Sequence, residues 1–124
     1  MIAIDTGTLI AYLAGDAGPD CDTLDLALAH NEAYLPPVVV SEILSASNAT
    51  EELTGIVLAI PTLAILDGYW ERAGVLRRSL LGRGVKSALA DTLICQSCLD
   101  HDVPLLTRDG DFRHFVRLSG LRVA

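Results

Sequence analysis

Cysteine, aromatic residues and long apolar runs are all scarce in this chain. Of its 124 residues, 51% are hydrophobic but only 5% are aromatic. No apolar stretch approaches the ~20 residues that a membrane-spanning helix needs. The N-terminal segment MIAIDTGTLIAYLAG lacks the basic start of a secretory signal. We therefore expect one domain over residues 1–124, with no membrane segment and a cytoplasmic location.

The three cysteines argue against a secreted disulfide scaffold, because their number is odd. Cys95 and Cys98 form a C-x-x-C pair. A zinc or redox role for this pair would need a second ligand pair or a strand-to-helix turn, and the sequence shows neither. We interpret Cys95 and Cys98 as small core residues on one face of a helix.

Basic residues are absent from the first part of the chain. All nine lysines and arginines lie at or after Arg72, whereas eleven of the sixteen acids precede it. The net charge of −7 is unusual for a protein that binds phosphate. The segment after position 71 is nevertheless basic, with nine bases and five acids. This polarity permits a basic side that faces RNA, and equally an acidic surface for a basic protein partner.

Short apolar runs alternate with segments of helical period along the whole chain. The alternation predicts a three-layer α/β/α fold with a central parallel sheet of four to five short strands. We expect Thr50, Asp67 and Ser87 to cap helices. The predicted strands lie at 2–4, 33–35, 63–66, 103–107 and 121–123. The predicted helices lie at 8–13, 19–30, 37–47, 50–60, 67–82, 87–101 and within 108–117.

Acidic residues occupy positions where a parallel sheet gathers functional groups. Asp5 follows the first strand, and Asp109 comes two residues after Thr107, past a later strand. Glu42 lies in a predicted helix that follows another strand, and Asp91 is an isolated acid in an otherwise apolar helix. The carboxyl ends of parallel strands share one edge of the sheet, so we expect these acids to lie close together.

Carboxylates that meet without basic residues between them repel one another, and each raises the pKa of its neighbours. A divalent cation removes that cost, and oxygen ligands favour Mg²⁺ or Mn²⁺ over zinc. Such an ion lowers the pKa of water and offsets charge on a phosphodiester. The pattern therefore predicts metal-dependent phosphodiester hydrolysis without a protein nucleophile.

Three segments carry a resemblance to a known family: IAIDTGTLIAYL, VVVSEIL and SALADTLICQSCLDHDVPLLTRDGDF. In order and approximate spacing they resemble the acidic motifs of PIN-domain ribonucleases. The short chain is similar to the VapC-like toxins of type II toxin–antitoxin systems. One departure is Gly7, where many relatives have Ser or Asn, which puts a supporting contact near the metal in doubt.

The resemblance implies a PIN-like fold and a set of site residues. Asp5, Glu42 and Asp91 match the main catalytic and metal-binding acids, and Asp109 matches a more variable fourth acid. Asp111 is close enough to share or take the fourth role. The hydroxyl residues Thr6 and Thr107 match supporting positions near the metal.

The same resemblance implies an activity and partners. It implies an endoribonuclease that uses Mg²⁺ (or Mn²⁺) to activate water for attack on RNA. It also implies a homodimer, and a cognate antitoxin whose segment blocks the site.

Several alternatives stay open or are set aside. Any one of the acids could be an exposed charge or a helix cap, and a PIN fold could serve only as a module that binds protein or RNA. The D-T-G of Asp5-Thr6-Gly7 matches aspartic proteases, but the helical periods do not suit their nearly all-strand fold. A haloacid-dehalogenase-type phosphatase usually has a second acid at the place of Gly7. The basic residues near Asp91 either form a solvated helix end or position phosphate; they are Arg77, Arg78, Arg83 and Lys86.

Overall fold

The chain folds around a small parallel sheet, and a computed structural model describes residues 1–124. The strands are β1 (Ile2–Ile4), β2 (Ala33–Tyr34) and β3 (Leu105–Leu106). The helices are α1 (Thr6–Leu13), α2 (Pro19–Ala29), α3 (Pro37–Leu44), α4 (Glu51–Ala59), α5 (Tyr69–Gly82), α6 (Leu89–His101) and α7 (Arg113–Ser119). A 3₁₀ turn, Gly110–Phe112, precedes α7.

The sheet has the order β2-β1-β3, and both pairings are parallel. Its central strand β1 pairs Ala3 with Tyr34 on one side and with Leu105 on the other. Ala3 and Leu105 are fully buried, as expected for a parallel sheet covered by helices on its faces. The predicted α/β/α fold is confirmed.

The sheet has three strands, fewer than the four to five predicted. The remaining two candidates each reduce to a single parallel bridge, Leu35↔Thr62 and Leu105↔Val123. The first cannot extend backwards as a full ladder because the preceding Pro61 has no N–H to donate. The second consists of two hydrogen bonds, from the Leu105 N–H to the Arg122 carbonyl and from the Ala124 N–H to the Leu105 carbonyl, each at 2.9 Å.

Some predicted helix starts are correct and others are wrong. Pro37 occupies the first turn of α3, and the Thr50 hydroxyl caps α4 by accepting from Leu53 N at 3.1 Å. Asp67 does not cap α5, which instead starts after Gly68 in the left-handed conformation at φ 82°. Ser87 does not cap α6 either, because its hydroxyl bonds to the Thr92 hydroxyl at 2.7 Å and Ala88 takes the cap position.

One hydrophobic cluster of 22 buried residues joins the sheet to the helices. Helix α5 packs on α6, α1 packs on α2, and α3 contacts both α1 and α6. Cys95 and Cys98 are free thiols within this core, as interpreted from the sequence. Burial raises the pKa of Cys95 to about 11 and raises that of Cys98 as well. None of the helices has the length and apolar character to span a membrane.

Candidate active site

Asp5 is a buried carboxylate at the carboxyl end of β1, where it also caps α1. Its Oδ1 accepts a hydrogen bond from the Thr6 backbone N–H at 2.8 Å. Its Oδ2 accepts one from the Thr107 hydroxyl at 2.7 Å. Burial raises the pKa of Asp5, the two hydrogen bonds oppose that rise, and the nearby charges of Asp109 and Glu42 add to it.

Parallel pairing of β1 with β3 brings Thr107 beside Asp5. The Asp5 backbone N–H donates to the Leu106 carbonyl at 3.0 Å, so both strands end at the same edge of the sheet. The Thr107 hydroxyl also accepts from the Asp109 backbone N–H at 3.0 Å. Asp109 then caps the 3₁₀ turn, because its Oδ1 accepts from the Asp111 backbone N–H at 2.9 Å. Asp5 and Asp109 are thus helix caps, and they also contribute charge to the same site.

Glu42 lies in the last part of α3, on the exposed side. Its Oε1 accepts a hydrogen bond from the Thr6 hydroxyl at 2.7 Å. Thr6 and Thr107 therefore each hold one carboxylate of the site in place, the former Glu42 and the latter Asp5.

Asp91 differs from Asp5 and Asp109 in its lack of side-chain hydrogen bonds. It lies in the first turn of α6, is half-buried, and its carboxylate accepts no hydrogen bond. Burial, followed by the charges of the other acids, raises the pKa of Asp91 to about 6. The contributing charges are those of Asp5, Asp109, Glu42 and Asp111. The fold therefore brings the acids singled out in the sequence near enough for their charges to act on Asp91.

No basic side chain neutralises this acidic cluster. The arginine nearest in sequence, Arg108, lies between Thr107 and Asp109 but turns away to bind Asp20 with its Nε at 2.8 Å and its Nη2 at 3.0 Å. This contact lowers the pKa of Asp20 to about 2. Asp20 also accepts from the Thr8 hydroxyl at 3.2 Å.

The Asp20–Arg108 contact anchors the loop of Thr107 and Asp109 to α2, and it was not predicted from the sequence. Asp20 follows Pro19 at the start of α2, which predicts only a first-turn acid. Nothing in the spacing of positions 20 and 108 indicates that they meet. The pairing depends on where α2 packs against the end of β3.

The donor set fits a hard divalent cation, because every group is a carboxylate or a hydroxyl oxygen and no lysine or arginine competes for them. As placed, no three acid, histidine or cysteine side chains converge closely enough to enclose an ion. Mutual repulsion among uncompensated carboxylates favours such a spread arrangement. Metal binding here would require the side chains to move together.

Two other sequence features have a clear place in the structure. The Asp5-Thr6-Gly7 tripeptide starts α1, so the D-T-G match lies in an α/β fold unlike that of aspartic proteases. Of the basic residues near Asp91, Arg77 donates from Nε to the Ser87 carbonyl at 2.8 Å and thereby ties α5 to the segment before α6.

The comparisons with known proteins agree with this architecture. The model of the PIN domain family matches residues 2–118, so the chain belongs to the PIN-domain family. No curated protein matches the chain.

Two solved structures share the fold. A chain of VapBC2 from Rickettsia felis, bound to a DNA fragment from their promoter, aligns with a TM-score of 0.74 and 19% identity over 100% of this chain and 98% of that one. A chain of FitAcB from Neisseria gonorrhoeae aligns with a TM-score of 0.70 and 18% identity over 99% of this chain and 96% of that one.

Proposed function

We propose that the chain is a Mg²⁺- or Mn²⁺-dependent endoribonuclease and the toxin of a toxin–antitoxin pair. The observation that carries this proposal is the gathering of acids from separate elements around Asp91 without a basic partner. Such an arrangement is costly to the folded chain. A site that costs stability and has no structural counter-charge is typical of a functional site.

In this proposal Asp5, Glu42, Asp91 and Asp109 hold the cation, and Asp111 is a substitute for Asp109. Thr107 orients Asp5, and Thr6 orients Glu42, through the hydrogen bonds described above. A bound divalent cation supplies a more acidic water and offsets charge on the phosphodiester. In this proposal the attacking group is water.

The proposed partners are RNA, a second copy of the chain and a cognate antitoxin. The similar Rickettsia felis structure contains VapBC2 on promoter DNA, which supports a toxin–antitoxin role by likeness of fold. Large apolar side chains such as Leu58 and Trp70 are 64% and 59% exposed, so the surface offers apolar area for protein partners to cover. The acid-rich first 71 residues suit a basic antitoxin segment.

The test is cleavage of labelled RNA by purified chain with Mg²⁺, with Mn²⁺, or with EDTA. We expect cleavage with either metal and none with EDTA. Asp91→Asn should abolish cleavage. The variant should still fold, because the Asp91 carboxylate makes no hydrogen bond that the substitution would remove. Asp5→Asn should abolish it too. Asp67→Asn is the matched control, since Asp67 is exposed and lies outside the acidic cluster.

Two results would contradict the proposal. Cleavage that survives both Asp5→Asn and Asp91→Asn would exclude the acidic cluster as the reacting site. Failure to cut any RNA with any metal, together with tight binding of a basic protein, would make the chain a non-catalytic PIN module.

A further inference from the structure

An open groove begins at Asp109 and runs along α7. Its volume is about 360 Å³, within the range of about 300–1,000 Å³ that ligand sites occupy. The 3₁₀ turn, α7 and the last residues of the chain form its walls. Its lining includes Thr107, Asp109, Arg113, Val116, Arg117 and Val123.

Two arginines of this groove make no polar contact with the rest of the chain. Arg113 and Arg117 are four residues apart on α7, so they lie on the same face one turn apart. Both are exposed, and neither makes a hydrogen bond or an ion pair with the rest of the chain. Other arginines are engaged: Arg72 pairs with Asp100 at 2.7 Å, and Arg122 pairs with Asp102 at 3.1 Å.

The groove is continuous with the acidic cluster, because Thr107 and Asp109 belong to both. Its apolar side is formed by Val116 and Val123, which are 41% and 46% exposed. The bridge between Val123 and Leu105 keeps that side in place. A nucleic-acid strand that leaves the acidic cluster along this groove would therefore contact the two arginines of α7 and the apolar side of the groove.

We propose that this groove binds the RNA strand next to the cleaved bond, with Arg113 and Arg117 on its phosphates and Val116 and Val123 against a ribose or base. The inference rests on the proposed function, whose site it extends. Guanidinium groups match phosphate oxygens in a bidentate geometry. Sequence-specific recognition of RNA mostly uses single-stranded segments, so we assign the groove to a single strand.

The test measures binding of a short fluorescein-labelled single-stranded oligoribonucleotide by anisotropy in EDTA, across a range of salt. Each phosphate contact on a single strand contributes about −0.7 to the slope of log K against log salt. The double variant Arg113→Ala/Arg117→Ala should therefore lower the slope magnitude by about 1.4. Between about 50 and 200 mM salt, wild type should lose about sevenfold more affinity than this variant.

Two further variants separate the groove from general charge and from folding. Arg72→Ala/Arg122→Ala removes the same charge from outside the groove. Both arginines already pair with aspartates, so this variant should keep the wild-type slope. Arg113→Lys/Arg117→Lys keeps the charge on α7 and should restore most of the slope. Thermal unfolding of all variants checks that each is folded.

The outcomes are distinct for the two proposals. Equal slope changes in the two alanine variants, or an unchanged slope in the α7 variant, would overturn the groove assignment. Binding of labelled hexaglutamate that depends on Arg113 and Arg117, with RNA binding unaffected, would also overturn it and make the groove an acidic-peptide site. If wild type cuts RNA and any one of these three results is obtained, only the groove assignment fails. If wild type neither binds nor cuts RNA, the proposed nuclease function fails with it.

Discussion

The Thr107 hydroxyl donates to the Asp5 carboxylate at 2.7 Å across a separation of 102 positions in the chain. Because the same hydroxyl accepts from the Asp109 backbone N–H, one atom ties the end of β1 to the loop that carries the fourth acid. Asp5 is 5% exposed, so its charge depends on the donors that surround it.

Removal of that donor should destabilise the protein in a pH-dependent way. In Thr107→Val, the pKa of Asp5 should rise further, because a hydrogen bond that favours the charged form is lost. The free energy of unfolding should fall by about 1–3 kcal/mol at about pH 7. The loss should shrink as the pH falls towards 4, since the folded Asp5 carboxyl is then increasingly protonated in both proteins. Urea unfolding at both pH values measures it.

Thr107→Ser is the matched control, because serine keeps the hydroxyl. It should retain most of the stability at neutral pH. An equal loss in the serine and valine variants would assign the effect to the methyl group and not to the hydrogen bond with Asp5.

Asp91→Asn should stabilise the metal-free protein. Burial and neighbouring acids raise the pKa of Asp91 to about 6, so its charged form is disfavoured in the folded chain. The penalty is absent below the unfolded pKa near 4, grows as the pH rises towards 6, and is complete above it. Its upper bound is about 3 kcal/mol. Because Asp91 is only half-buried, solvent screening reduces the expected gain at about pH 8 to roughly 1–2 kcal/mol.

Denaturant unfolding at about pH 8 and about pH 4 checks this pH dependence. The gain should be present at the higher pH and absent at the lower. Asp67→Asn should show no comparable gain. A destabilised Asp91→Asn at the higher pH would mean that the carboxylate makes favourable contacts absent from this structure.

Thr6→Val should weaken metal binding without unfolding the chain. Thr6 donates to the exposed Glu42, so loss of the hydrogen bond should change metal-free stability by less than about 0.5 kcal/mol. Loss of a residue that orients a ligand typically lowers metal affinity by at least about tenfold. Titration of the thermal unfolding temperature with Mn²⁺ measures both effects, and Thr6→Ser is the control. An unchanged Mn²⁺ midpoint in Thr6→Val would remove Glu42 from the ligand set or Thr6 from its support.

The sequence pattern predicted the main architecture because the local signals for strands and helix starts agree with the elements that form around the sheet. The apolar run at Ile2–Ile4 and the Pro37 helix start both reflect short-range rules, and both are present in the structure. The edge strands were overcounted because a run such as 63–66 has strand composition, yet pairing depends on the neighbour and on Pro61. The caps at Asp67 and Ser87 failed because Gly68 and the Ser87–Thr92 hydrogen bond offer the backbone other solutions.

The candidate site, too, could be predicted only in part from the sequence. The acids could be singled out because each follows a strand or interrupts an apolar helix. The contacts that hold them, such as Asp20 with Arg108, join distant positions and depend on helix packing. The groove on α7 was invisible for the same reason, since Val123 reaches it only through its bridge to Leu105.

Cys95 and Cys98 should be unreactive in the folded protein. Both are free and buried, and burial raises the pKa of each thiol. Only the thiolate reacts quickly with alkylating reagents. Iodoacetamide at about pH 8 should therefore label these two positions slowly in native protein and rapidly in denaturant, as followed by peptide mass. Rapid native labelling would contradict their assignment to the core.

The chemical ends of the RNA products test the central claim most directly. Water as the attacking group displaces one ribose oxygen directly, so one product ends in a linear phosphate and the other in a hydroxyl, and the ribose 2′-hydroxyl is not required. Mass spectrometry of products made with Mn²⁺ should therefore show those ends. A substrate with a 2′-deoxy sugar at the cleaved position should still be cut, and Asp91→Asn should give no product. Products with 2′,3′-cyclic phosphate, or equal product from Asp91→Asn, would contradict hydrolysis at the acidic cluster.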